Sequence, residues 1–452
     1  MPVNLRKGEK MKTKLGIQAL SLLLVLALTG AIFIPAVSAE ELTSDDIESI
    51  PLINIEDSTN LISGEQVKSE LKIQSTIEKY DLVLFDIPQI REQLAKNKEL
   101  PVEILGKQYS MILDEIAVND VGVNPNTYSY TGYLKGAKES EIVLTISEST
   151  LIARITLDGD ELYIESSSSK DPSDNYYHYE YMLKDVKEEG GPLYLKDDYL
   201  AHKDMTDQEI QERNAIAQIE EEKLATKSTT YVRILVMTDA KWIYDEPDWM
   251  TKAQNIIAEA NNQLGRYDIE TCLLATYDSS KASELAADSQ NLIQDSLGTF
   301  KNHVPESYLD SNSADLVIYL GGYDCTNPNA GVGATWGYDN SDPTLRRYGW
   351  VQMADDPSLY DAIHHDRAVI TLHEIGHMFD ADHQDGFEGP NQESYNRAYQ
   401  WNSGSTTTQS VVWAVMLKST SYEYSSYDFN GDYYHNNALR IFQTRNVVAS
   451  YV

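Results

Sequence analysis

Between residues 109 and 167 apolar and polar positions alternate in short runs: Tyr128–Tyr133, Glu141–Ser147, Leu151–Leu157 and Glu161–Glu165. A period of two sends successive side chains to opposite faces and predicts β-strands. Asp158-Gly159-Asp160 separates the last two runs with turn residues, so the stretch reads as hairpin-rich. Upstream, Leu82–Phe85 predicts a strand, and Pro88–Asn97 a helix with Pro88 at its first position. The pattern changes at residues 205–226, where Asp207 to Lys223 is charged and helix-prone but poor in large apolar side chains. Lys227-Ser228-Thr229-Thr230 lacks core-forming side chains as well, which marks an exposed connector. From Tyr231 onward the periods lengthen. Val232–Met237, Ile269–Tyr277, Leu316–Leu320 and Tyr348–Met353 predict strands. Trp249–Leu264 predicts an amphipathic helix with Ala253, Ile256, Ile257 and Ala260 on one face. Leu285–Phe300 predicts another helix, and His435–Val447 a C-terminal one. Strand-helix-strand-helix-strand is the order of two crossover units on a mostly parallel sheet.

These shifts divide the 452 residues into four stretches: 1–39, a β-rich domain over 40–204, a connector over 205–230, and an α/β domain over 231–452. The first stretch has a basic lead (Arg6, Lys7, Lys10, Lys12, Lys14), an apolar run from Leu15 to Val37, and Val37-Ser38-Ala39 before two glutamates. That is the order of a secretory signal peptide, with cleavage expected after Ala39 and a secreted product. The run is also nearly long enough to span a bilayer, so a retained N-terminal anchor is the alternative. The net charge of −35 repels nucleic acid and anionic lipid as partners. The acidity is spread along the chain: residues 229–452 alone carry 13 Lys and Arg against 30 Asp and Glu. Two cysteines, Cys272 and Cys325, are too few for a structural zinc site. In an exported chain they suggest one disulfide, with two buried thiols as the alternative.

The chemistry concentrates in Thr371-Leu372-His373-Glu374-Ile375-Gly376-His377-Met378-Phe379-Asp380-Ala381-Asp382-His383. A helix advances about 100° per residue, so His373 and His377 lie about 40° apart on one face, one turn apart in height. Two imidazoles so placed can grip one ion, and Glu374 beside them can reach a water on it. On a continued helix His383 would face away, about 240° round from His377. The helix must therefore break between them, and Asp380 is among the non-glycine residues that best tolerate the left-handed backbone required. Three imidazoles leave one position of a zinc ion open, the mark of a catalytic rather than a structural site. Asp366 precedes the apolar run and is a candidate helix cap.

On these residues the chain resembles the metzincin zinc endopeptidases, and within them the reprolysin or adamalysin branch. The resemblance implies a catalytic domain over 231–452 with a twisted, mostly parallel sheet, an active-site helix and a Met-turn, preceded by a β-rich prodomain. His373, His377 and His383 correspond to the zinc ligands and Glu374 to the catalytic base, with Asp380 where the family has glycine. Val411-Val412-Trp413-Ala414-Val415-Met416 fits the Met-turn, with Met416 as its methionine. Lys418 stands where some branches carry a tyrosine ligand, and Gln384 where the reprolysin branch has aspartate. Family members pair an extended substrate with an edge strand, for which Gly349-Trp350-Val351-Gln352-Met353 is the candidate, with Gly331 to Ala334 nearby. Tyr128 to Glu165 resembles the propeptide loosely, and no cysteine precedes Cys272 to block the metal. Asp428-Phe429-Asn430-Gly431-Asp432 resembles the start of a Ca2+ loop, but Tyr433 and Leu439 break the remainder, and a polar turn is the better fit.

The expectation is a secreted zinc endopeptidase made as a proenzyme and acting on proteins or peptides. Its rivals are a non-catalytic surface domain that keeps zinc for structure, and a protease anchored through its N-terminal apolar run.

Overall fold

The computed structural model describes residues 53–54, 69, 71–104, 107–137, 139–171, 174–187, 193–194, 229–266, 269–285, 293–322, 333–336, 344–354, 363–383, 398–403, 406–412, 415–416, 420–426 and 436–452. At 53–54, 193–194, 293–296, 402–403, 406–407 and 415–416 it describes the backbone alone. Residues 49–452 make one compact unit of mixed α/β structure.

Nine antiparallel strands form the first sheet: β1 Ile53–Asn54, β2 Asp81–Leu84, β3 Glu99–Ile104, β4 Lys107–Ile116, β5 Tyr128–Leu134, β6 Glu141–Ile146, β7 Leu151–Leu157, β8 Asp160–Lys170 and β9 Tyr176–Met182. Their order is β1-β2-β9-β8-β7-β6-β5-β4-β3. The β7–β8 hairpin closes through Leu157↔Asp160. Asp158 and Gly159 both have positive φ, 54° and 85°, the pairing that a tight two-residue hairpin needs. The helix Ile87–Asn97 packs Ile87, Ile90 and Leu94 onto one face of the sheet. It is capped by Asp86, so Pro88 falls at its second position rather than its first. β6 and the start of β7 are buried on both faces and lose the alternation of a half-exposed strand. The cause is a second helix on the opposite face, Trp249–Leu264, packed against β5, β6 and β7.

The second sheet has five strands: β11 Thr230–Thr238, β12 Thr271–Asp278, β13 Leu316–Gly321, β14 Gly333–Thr335 and β15 Tyr348–Gln352, in the order β12-β11-β13-β15-β14. Between β10 Leu193–Tyr194 and β18 Val415–Met416 there is a two-residue antiparallel pairing, and β16 Gln400–Ser403 pairs with β17 Thr406–Gln409. In the five-stranded sheet β11, β12, β13 and β15 are parallel. Val232, Ile234, Val236, Ile318 and Leu320 face one hydrophobic cluster, shared with Trp249–Leu264 and with a helix over His364–Met378. Leu235, Met237, Val317 and Tyr319 face another, with Leu297 and Phe300 of the helix Ile293–His303. Helices on both faces explain the nearly continuous apolar runs of β11 and β13.

Two expectations change here. β15 is an inner strand between β13 and β14, and the edge is β14, antiparallel to it through Gly333↔Val351 and Thr335↔Gly349. Three residues led by glycine carry too little periodicity to be read as a strand. The helix Trp249–Leu264 has the expected bounds, but its polar side is buried as well: Lys252, Gln254, Asn255, Glu259 and Gln263 are each at most 2% exposed. Amphipathic spacing reports which side suits an apolar core, not whether a polar partner covers the other.

Candidate metal centre

His364–Met378 is a fully buried helix that carries His373, Glu374 and His377. Its last turn ends as the spacing requires. Asp380 has φ 72°, the Asp380 N–H donates to the His377 carbonyl at 3.0 Å, and the Ala381 N–H donates to the Gly376 carbonyl at 3.0 Å. This pair of bonds around one left-handed residue is the Schellman closure, in which the chain reverses and leaves the helix axis. The reversal delivers His383 back onto the face that bears the other two histidines.

The three Nε2 atoms form a triangle: His373 to His377 is 2.9 Å, and His383 lies 3.1 Å from each. All three side chains are buried. His373 Nδ1 lies 2.8 Å from the Val411 carbonyl, and His377 Nδ1 lies 2.7 Å from the Ala381 carbonyl. A carbonyl only accepts, so both rings donate from Nδ1 and present a bare Nε2 lone pair. Converging lone pairs in a buried space repel one another unless a cation lies between them. Zinc bound to imidazole at about 2.0–2.1 Å in a tetrahedron spaces its ligands about 3.3 Å apart, so the triangle fits that ion.

Residues distant in sequence hold this arrangement. Arg440, on the C-terminal helix Asn437–Val448, forms a buried ion pair with the Asp380 carboxylate. Thr444 Oγ1 on the same helix donates to the Phe379 carbonyl at 2.7 Å, and Asn437 Nδ2 donates to the Asp382 carbonyl at 3.2 Å. Aspartate at the reversal therefore has a use that glycine lacks: its side chain ties the metal loop to the C-terminal helix. Tyr424 donates its hydroxyl to the Leu372 carbonyl at 2.7 Å. On the other side of the helix Gly333 of β14 lies against the Glu374 carboxylate, and a Cβ there would clash with it. None of these partners carries a local signature, and only long-range packing identifies them.

The remaining expected positions fall as follows. The start of the helix is capped by neither Asp366, which lies in its first turn, nor Ile363, the residue before it. Instead the Glu165 carboxylate of β8 accepts the His364 N–H at 3.2 Å. Met416 has its backbone in β18, while its side chain lies outside the described residues. Cys272 is a half-buried free thiol against the Ala117 carbonyl, and Cys325 lies outside the described residues, as do Asp428 to Asp432 of the Ca2+ pattern.

Comparison with known proteins bears on residues 228–428, which match a family model, Reprolysin_5, described as metallo-peptidase family M12. No curated protein matches the chain. Among solved structures the chain is similar to one described as the structure of a chaperone-substrate complex, at 13% identity over 50% of this chain, with a TM-score of 0.37. It spans only 35% of that protein. It is also similar to metalloproteinase-II from Bacteroides fragilis, at 12% identity over 84% of this chain and 95% of that one, with a TM-score of 0.46. The region that carries the three histidines, residues 228–428, belongs to the M12 metallopeptidases and is a metzincin-like zinc metalloprotease domain.

Proposed function

We propose that this chain is an exported zinc endopeptidase made as a latent precursor, with His373, His377 and His383 as its metal ligands and Glu374 as its general base. The observation that carries the reading is the triangle of buried Nε2 atoms no more than 3.1 Å apart, with a carboxylate one residue along the same helix. When bound, zinc polarises the scissile carbonyl and brings the pKa of a coordinated water towards neutrality. The Nδ1 bonds of His373 and His377 fix ring orientation and tautomer. Glu374 takes a proton from water and passes it to the leaving amine. β14, whose Gly333 touches Glu374, is the edge against which an extended peptide adds as a further strand. The substrates are proteins or peptides, as the family implies.

Export rests on the basic, apolar and small-x-small order of residues 1–39, which lie outside the described residues. No helix among the described residues is long and apolar enough to cross a membrane. Latency is supported by β10, where Leu193 and Tyr194, upstream of the connector, pair with Met416 and Val415 downstream of the histidines. A thiol block is excluded by sequence, because no cysteine precedes Cys272. Peptide cleavage by the full-length protein before and after a cut in the connector tests the proposal. Cleavage should appear after the cut, stop with a strong chelator, and fall at least about 10³-fold in Glu374→Gln. Activity that survives Glu374→Gln would overturn it, and bound zinc without turnover would favour a structural zinc domain.

A further inference from the structure

The two sheets meet at the helix Trp249–Leu264, and the contact is of a different kind from the β10–β18 pairing. β10 holds through two residue pairs with backbone described alone. The helix contact is broad and mostly polar. Arg154 of β7 reaches Glu259 of the helix through Nε at 3.0 Å and Nη2 at 2.8 Å, a two-pronged ion pair in which both partners are buried. Its guanidinium also lies 4.4 Å from the centre of the Tyr422 ring. Asn255 donates to Thr145 Oγ1 of β6 at 3.1 Å, and Gln254 accepts from Asn119 at 3.0 Å and from Asn124 at 2.9 Å. Beside the helix, the Ala275 N–H donates to the Val118 carbonyl at 2.7 Å and the Asp120 N–H to the Ala275 carbonyl at 3.0 Å. Residues 118–120 therefore continue the five-stranded sheet beyond its open edge at β12. At the far side Glu165 holds the first N–H of the histidine helix.

This chemistry fits a separable but tight contact. The helix face is polar, so it can stand in water once uncovered, as the surface of an obligate core cannot. Yet it is dense in charge-assisted and neutral hydrogen bonds, and desolvated pairs of this kind mainly slow dissociation. We infer that cutting the connector frees the β10 tail but not the β-rich region, which stays docked on Trp249–Leu264 through Arg154–Glu259 and its neighbours. Separation of the β-rich region is then a distinct, later event that the cut does not itself produce. The inference rests on the latent-precursor reading only in taking the connector as the place that is cut.

The test uses the full-length chain in the Glu374→Gln background, with a cleavage site for an added protease placed within residues 205–228. After complete cutting, the two fragments should elute together on gel filtration at about 1 μM and neutral pH. Arg154→Met and, separately, Glu259→Gln should each weaken that association at least about tenfold, with circular dichroism of the uncut chain unchanged. Fragments that separate at once, each folded, would overturn the inference, and so would association that neither substitution alters. Neither outcome depends on turnover, so it is read independently of whether the chain is a protease.

Discussion

Asp380 shows how one residue serves backbone and side chain together. Its positive φ ends the histidine helix, and its carboxylate pairs with Arg440 where water is excluded. Removing one partner of a buried pair leaves a charge without its counter-charge, and that costs about 3–5 kcal/mol. Arg440→Ala should therefore lower the stability of the full-length protein by about that amount and loosen zinc in a chelator competition, although Arg440 touches no histidine. Denaturant melts of wild type and variant check the first outcome. A loss below about 1 kcal/mol would show that the pair does not hold the loop. The histidines were legible in the sequence because His373 and His377 lie one turn apart, which is local geometry. Arg440 was not, because the partners lie 60 positions apart, which hides the pairing from any window of sequence.

At the scale of elements, long regular stretches were readable and short or shared ones were not. The helix Trp249–Leu264 has both ends where its periodicity set them, whereas β14, at three residues, falls below any repeat. The cap of the histidine helix comes from β8, a strand of the other sheet, so no residue near 364 could announce it. This end of the helix also carries a pH dependence. Burial lowers the pKa of His364 to about 3, and burial does the same to His178 against β7. Both are neutral in the folded chain and titrate near 6.5 when unfolded. The unfolded state thus binds more protons below pH 6.5, and stability falls as the pH drops from there towards 3, by about 1.4 kcal/mol per unit for each histidine. Glu246 differs in sign and window. Burial opposes its charge, but Lys252 and Arg367 hold its pKa down at about 2. Its contribution is present above the ordinary carboxylate range and fades only below about 4.5. Glu180, whose burial raises its pKa to about 7, acts in the opposite sense over the same range. A decline between pH 6.5 and 4.5 therefore comes from the buried histidines, and His364→Gln should make it shallower in thermal melts across that range. An unchanged slope would contradict the burial argument.

For the whole molecule, the two sheets are joined through one helix whose apolar side serves the five-stranded sheet and whose polar side serves the nine-stranded one. From sequence, that polar side suits solvent equally well, which is why the composition shift at the connector was visible and the docking surface was not. The docking also brings β8 to one end of the histidine helix, while the C-terminal helix ties down the other, so the metal loop is fixed by parts of the chain that begin and end far apart. The most direct measurement is the metal content of the purified full-length protein, wild type beside His383→Ala, combined with a structure of the zinc-loaded form. One tightly held zinc per chain is expected on His373, His377 and His383, with the ion lost or weakened by orders of magnitude in His383→Ala. Zinc absent from wild type, or bound with His383 turned away from it, would contradict the account.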